Sequence, residues 1–346
     1  MSRTLRDLDD LLTEGLLSPD RRDRLGAVAE RYAIAVTPHV KSLMETLDDA
    51  DPIARQFLPD EAELVRHPDE SADPIGDHAH EPVQGVVHRY PDRVLLKVVS
   101  VCPVYCRFCF RREMVGPGRE PGLSPAGLEA ALDYIRRTEA VWEVILTGGD
   151  PFMLSTRRAR ELTAELDAID HVKVIRWHTR MPVADPDRIT EEYASAIASR
   201  RKAVYAAVHV NHARELSPSV RGSLRRLSQA GVFLLSQSVL LKGVNTTFEA
   251  LRDLMRALVE CGVRPYYLHH PDLAPGTSHF RVSIEEGRDL VRRLRDETSG
   301  LCQPDYVLDI PGGMSKALMS PQDIETQSGS VRLRGRDGSW VRYSRD

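Results

Sequence analysis

Three cysteines packed into eight positions, Cys102-Pro-Val-Tyr-Cys106-Arg-Phe-Cys109, carry the clearest chemistry in this sequence. Three thiolates on one loop can each bind a different iron of a cubane [4Fe–4S] cluster. Such a cluster usually takes four thiolates, so one iron keeps an open site for the amino and carboxylate groups of a small molecule. Zinc is the competing metal, but structural zinc takes four closed ligands, commonly in paired CxxC units, and no second pair exists here. Five cysteines are an odd number and a poor disulfide framework. In a reducing cytosol, clustered cysteines more often bind metal or do redox work. Cys261 and Cys302 stand alone and read as small buried apolar residues.

Other residue types suggest further chemistry. Gly148-Gly149-Asp150-Pro151 closes a β-rich run, where two glycines either let backbone approach a ligand closely or make a simple βα turn. His209, Gln237 and Ser238 also fall at the ends of such runs. Lys316 follows Pro311-Gly312-Gly313. A lysine beside a Gly-rich turn can form a Schiff base with pyridoxal phosphate while backbone N–H groups hold the phosphate; taken alone, it also reads as an exposed lysine. Arg89 and Arg93 have the planar fork that suits phosphate, or they are surface arginines beside Asp92. Arg111 lies two residues past Cys109. Asp272, in HHPDLAPG, and Asp309, before the Gly-Gly turn, are ordinary cap or turn aspartates when read singly.

These residues need a scaffold. From residue 94, short β-rich runs alternate with amphipathic segments: VLLKVVS (94–100), EVILTG (143–148), VKVIRWH (172–178), AVYAAVHV (203–210), VFLLSQS (232–238) and RPYYLHH (264–270), with YVLDI (306–310) as a candidate seventh. This alternation predicts an α/β fold with parallel strands and crossover helices. Six units are too few for an eight-fold barrel, so a partial (β/α)6 barrel is expected, with polar residues gathered at the C-terminal strand ends. Residues 1–85 form a helical N-terminal extension and an acidic connector, residues 86–316 the barrel, and residues 317–346 a tail with a β-hairpin turning at Asp337-Gly338. The stretch 47–82 reads as a solvated, loop-rich connector.

The chain has 346 residues, 42% apolar, and a formal charge of −4 with both signs interspersed. Clustered positive charge, as nucleic-acid binding would need, is missing. No apolar run is long enough for a membrane span, and the charged start lacks a signal-peptide core. A cytoplasmic protein is expected.

The cysteine spacing after a first barrel strand resembles the radical S-adenosylmethionine superfamily. More specifically, HRYPDRVLLKVVSVCPVYCRFCFRREMVG (88–116), LTGGDPFML, RMPVADPDRIT, HVNHARE, SQSVLLKGVN, GVRPYYLHHPDLAPGTSHFRV and SGLCQPDYVLDIPGGMSK resemble the lysine 2,3-aminomutase family. The likeness runs from 88 to 316 and does not extend well over the first 45 residues or the tail. It implies a [4Fe–4S] cluster on Cys102, Cys106 and Cys109, and S-adenosyl-L-methionine held near Gly148, Gly149, Asp150, His209, Gln237 and Ser238. It also implies pyridoxal 5′-phosphate on Lys316, with Arg89 and Arg93 at its phosphate. Arg111 would grip the substrate carboxylate, and Asp272 and Asp309 the distal ammonium of L-lysine. Relatives acting on glutamate lack that acid pair, since an anion would be repelled. Met314 and Ser315 replace two family glycines, with Lys316 still in register. The C-terminal zinc cysteines of some members are missing.

The activity so implied is interconversion of L-lysine and L-β-lysine by a 5′-deoxyadenosyl radical, with an electron donor such as flavodoxin or ferredoxin and with homo-oligomerisation left open. Three alternatives stand beside it. The same chemistry could serve modification of elongation factor P, against which Asp309 argues. The substrate could be another cationic amino acid such as arginine. A non-catalytic Fe–S scaffold is the third.

Overall fold

The structure is a computed structural model that describes residues 3–46, 50–116, 118, 120–320, 323–327 and 330–345. Among these residues, nine strands form one sheet in chain order: β1 (Val86–Tyr90), β2 (Arg93–Val99), β3 (Glu143–Gly148), β4 (Val174–Thr179), β5 (Ala203–His209), β6 (Phe233–Val239), β7 (Arg264–His269), β8 (Asp305–Asp309) and β9 (Lys316–Leu318). Strands β2 to β8 are parallel, and the sheet curls into a partial barrel. The run YVLDI is thus a seventh parallel strand, β8. The edge strands β1 and β9 are antiparallel additions that the β-rich runs do not announce, because β1 ends in polar residues and β9 is only three residues long.

Helices Pro125–Arg137, Thr156–Asp167, Glu191–Ile197, Pro218–Gln229, Phe248–Glu260 and Ile284–Glu297 make the crossovers. Each begins after a Ser or Thr: Ser124, Ser155, Thr190, Ser217, Thr247 and Ser283 accept the backbone N–H three residues on. Such a cap is worth about 1 kcal/mol. The helix Phe248–Glu260 buries Phe248, Leu251, Leu254, Met255 and Leu258, the stripe expected of a 3.6-residue period. The middle of β3 is buried on both faces, as suits a strand with helices on one side and the barrel interior on the other.

Among the described residues, the N-terminal extension is helical as expected, in short pieces: Leu8–Thr13, Pro19–Arg24, Gly26–Arg31, Pro38–Ser42 and Ala54–Phe57. Ser18-Pro19 and Thr37-Pro38 start new helices inside the run, with Ser18 and Thr37 as caps. Their core (Leu11, Leu25, Val28, Val36, Ile53, Phe57) also takes in Val104 of the cysteine loop. The tail hairpin turns through Asp337-Gly338, with Gly338 at φ +84°, and a further strand makes it a three-stranded sheet: β10 (Ile324–Gln327), β11 (Ser330–Arg334) and β12 (Trp340–Arg345). Among the described residues, no helix is long and apolar enough to cross a membrane.

Candidate active site

The C-terminal ends of the parallel strands open into a cavity of about 580 Å³. It is lined by Cys102, Cys106 and Cys109 after β2, Gly148, Gly149 and Asp150 after β3, His178 and Arg180 at β4, His209 at β5, Gln237 at β6, His269 and Asp272 at β7, Asp309 at β8 and Lys316 at β9. Arg89, Arg93 and Arg111 line it as well. Most of the residues singled out in the sequence therefore share one space, although they are more than 200 positions apart.

The three thiols are free. Burial pushes all three above the usual thiol range, Cys109 to about 11, and mutual repulsion adds to the rise at Cys102 and Cys109. At Cys106 a guanidinium works the other way: Arg180 Nη1 donates to its Sγ at 3.1 Å. Among the described residues, no three such side chains converge as ligands of a single ion.

The cysteine loop is gripped by the N-terminal extension. Glu63 is fully buried and accepts from Arg107 and Arg112, which flank Cys109. Burial pushes its carboxyl up, but the two guanidiniums more than offset this and hold it ionised. Arg107 also donates to the Ala33 carbonyl and Arg112 to the Gly276 carbonyl, each at 2.8 Å. A second buried network runs from Arg180 to Glu215 (2.7 Å) and Gln56 (2.6 Å). The connector that the sequence leaves solvated thus supplies buried acids, because guanidiniums brought in by the fold offset their desolvation.

The glycines at β3 have an internal reason. A Cβ on Gly148 would stand 2.3 Å from the Val99 carbonyl, and one on Gly149 equally close to that of Val101. Gly149 N–H donates to Val99 (2.6 Å) and Asp150 N–H to Val101 (2.9 Å), so this turn braces the base of the cysteine loop. The Asp150 carboxylate is occupied by Thr179 Oγ1, Arg180 N–H and Phe152 N–H. Ser238 does not line the cavity; its hydroxyl donates to the Val210 carbonyl at 2.5 Å. Gln237 does line it, with Nε2 3.1 Å from His269 Nε2 and a buried Oε1 that has no partner.

At the other corner, β9 runs antiparallel to β8 with Lys316 opposite Asp309. Their side chains form an ion pair, and His269 Nδ1 lies 3.6 Å from the same carboxylate oxygen. Burial pushes Asp309 up, but the neighbouring His269 ring and the Lys316 charge pull it well below the usual carboxylate range. Asp272 goes the opposite way, pushed up to about 7 by burial and by Asp309. In the Gly-Gly turn, Gly313 N–H donates to Ile310, and a Cβ on Gly313 would meet the Ile75 carbonyl at 2.5 Å. Close packing against the connector, rather than a ligand, accounts for that glycine.

Arg89 and Arg93 stand on opposite strands of the β1–β2 hairpin. Arg93 starts β2, far from the thiols; it pairs with Asp92 and stacks 3.7 Å over Tyr90. Arg89 and Arg111 share Asp77, a residue that sequence reasoning missed. His178 was missed as well. Its Nε2 is buried without a partner, and burial followed by the Arg176 charge keeps its ring neutral. Its place at the end of VKVIRWH was the available signal.

A parallel half-barrel with three free cysteines on the loop after its first parallel strand defines a radical S-adenosylmethionine enzyme, and the Radical SAM superfamily pattern matches residues 96–269. The L-lysine 2,3-aminomutase of Clostridium subterminale is 36% identical over 329 residues, spanning 95% of this chain and 79% of that one. The glutamate 2,3-aminomutase of Clostridioides difficile is 32% identical, spanning 99% and 81%. Among solved structures, a radical SAM methyltransferase from Sphaerobacter thermophilus aligns with a TM-score of 0.44 at 20% identity, over 64% of this chain and 68% of that one. The chain belongs to the lysine 2,3-aminomutase family of the radical SAM superfamily. It is a 2,3-aminomutase, and the superfamily implies a [4Fe–4S] cluster and S-adenosylmethionine.

Proposed function

We propose that the protein is an L-lysine 2,3-aminomutase dependent on pyridoxal phosphate. The observation that carries this reading is the pair of acids at the ends of β7 and β8. Asp272 and Asp309 line the same cavity, and Asp309 already holds an ammonium, that of Lys316. Two carboxylates there favour a substrate with a distal cation and repel one with a distal anion.

The chain's residues divide the work. Cys102, Cys106 and Cys109 hold the cluster, and Arg180 offsets thiolate charge at Cys106. The bound cluster and S-adenosylmethionine supply a 5′-deoxyadenosyl radical, and pyridoxal phosphate on Lys316 supplies the delocalising ring. Gln237, His209 and His178 present polar atoms to the adenosyl side, two of them without a protein partner. Arg89 takes the phosphate and Arg111 the substrate carboxylate. Arg93, already paired with Asp92, gives the phosphate side a weaker, outlying charge. Ile75 of the connector lines the cavity with other apolar side chains, which exclude water that would quench a radical.

The test is an anaerobic incubation of the reconstituted protein with S-adenosylmethionine, a reductant and lysine, read by NMR. β-Lysine is expected. Intact lysine alongside cleaved S-adenosylmethionine would count against the reading. Borohydride should fix pyridoxal phosphate on Lys316; label on Lys202 or Lys242 instead would refute that assignment.

A further inference from the structure

Asp77 lies in the stretch that the sequence leaves as connector, and its side chain is fully buried. It faces two guanidiniums from separate parts of the chain. Its Oδ1 accepts from Arg89 Nη2 at 3.1 Å, and its Oδ2 lies 2.9 Å from both Nε and Nη2 of Arg111. Both arginines line the cavity; Asp77 does not, so it stands behind them. One carboxylate serves both guanidiniums, and each arginine keeps N–H donors beyond those Asp77 takes, which suits anions at this corner of the cavity.

The direction of each guanidinium is also fixed. Arg111 spends its Nε and Nη2 on Asp77, which leaves Nη1 turned elsewhere, 3.4 Å from Thr147 Oγ1. Arg89 uses one N–H on Asp77 and one on the Ile75 carbonyl (2.9 Å), out of five donors. The segment that carries Asp77 is itself locked. A Cβ on Gly76, at φ +67°, would stand 2.5 Å from the Gly312 backbone, in the turn that leads to Lys316.

We propose that Asp77 is a positioning residue that holds Arg89 and Arg111 as one unit, aiming Arg89 at the cofactor phosphate and Arg111 at the substrate carboxylate. This rests on the roles given above to those two arginines. A shared carboxylate links the two anion sites: a ligand that fixes one arginine also fixes Asp77, so the second arginine is already ordered for the next anion. Cofactor loading then tightens substrate binding without direct contact between phosphate and carboxylate.

The experiment measures binding, not turnover. Pyridoxal phosphate and pyridoxal, which lacks the phosphate, are titrated by absorbance. Lysine and 1,5-diaminopentane, which lacks the carboxylate, are titrated into the cofactor-loaded protein without S-adenosylmethionine. Asp77→Asn is expected to weaken pyridoxal phosphate and lysine about tenfold each, the worth of a hydrogen bond to a charged group. Pyridoxal and 1,5-diaminopentane should be unchanged. Asp77→Glu, which keeps the charge but moves it, should lose less at both sites. The Asp77 effect should vanish in Arg89→Gln for the phosphate and in Arg111→Gln for lysine. If the two arginine variants weaken the anionic probes and neither Asp77 variant does, the positioning role is overturned while the arginine roles stand. If the arginine variants leave the probes unchanged, the underlying reading fails and takes this one with it. If Asp77→Asn does not fold, as read by circular dichroism, the Asp77→Glu cycle decides alone, with about threefold loss at both sites expected and no loss as the overturning result.

Discussion

The two ends of the cavity are built differently. Around the cysteines the buried charges pair within the chain: Glu63 with Arg107 and Arg112, and Arg180 with Glu215 and the Cys106 thiol, although Arg112 Nε and Arg180 Nε keep no partner. At the ligand end, matching is incomplete. His178 Nε2 and Gln237 Oε1 have no partner, Asp272 is pushed up to about 7, and Asp309 has a lysine of its own chain as its counter-ion. The first end spends its charges on holding a loop still. The second keeps charges and polar atoms for something outside the chain.

Substitutions should separate the two ends. The largest effect belongs to the thiols: Cys102→Ala, Cys106→Ala or Cys109→Ala should abolish iron loading and the visible absorbance of the cluster after anaerobic reconstitution. Stoichiometric zinc without iron in the unmodified protein would contradict the cluster assignment. Next comes Glu63→Gln. It leaves Arg107 and Arg112 buried without a counter-charge, which should cost about 3–5 kcal/mol in denaturant unfolding and lower iron content. An unchanged unfolding midpoint would show that this end is not held by its ion pairs.

At the ligand end, effects should fall on binding with the fold intact. Asp272 gives a pH signature. A cation binds its carboxylate and not its acid, so lysine binds fully above about 7 and more weakly as pH falls through that value, by up to about tenfold per unit. The KM for lysine should follow that slope, and Asp272→Asn should flatten it. The smallest effect belongs to Ser238→Ala. Loss of its hydrogen bond to Val210 should cost about 1 kcal/mol of stability and leave S-adenosylmethionine affinity unchanged. A marked loss of affinity there would return Ser238 to the ligand site.

The sequence shows the parts whose chemistry is local. The cysteine spacing and the strand–helix alternation are short-range patterns, and both are met in the fold. Long-range pairings are hidden. Asp77 and Arg111 are 34 positions apart, and Glu63 and Arg107 are 44 apart. An acidic, proline-bearing stretch looks solvated until the fold brings arginines to it. Ser238 shows a further limit. Neighbouring residues of a strand face opposite sides, so with Gln237 turned into the cavity Ser238 turns away, and strand alternation alone could have indicated this. The same logic divides Arg89 from Arg93, which a two-residue turn places on different strands.

The central claim is that Asp272 and Asp309 select a substrate with a distal cation. Its most direct test compares kcat/KM for lysine and for glutamate in the unmodified protein, in Asp272→Asn and in Asp309→Asn, with cluster and cofactor content measured alongside. The unmodified protein should use lysine and not glutamate. Each variant should raise the KM for lysine by roughly a hundredfold, the loss of one partner of a buried cation, while retaining both cofactors. Turnover of glutamate by the unmodified protein, or an unchanged KM for lysine in both variants, would contradict the account.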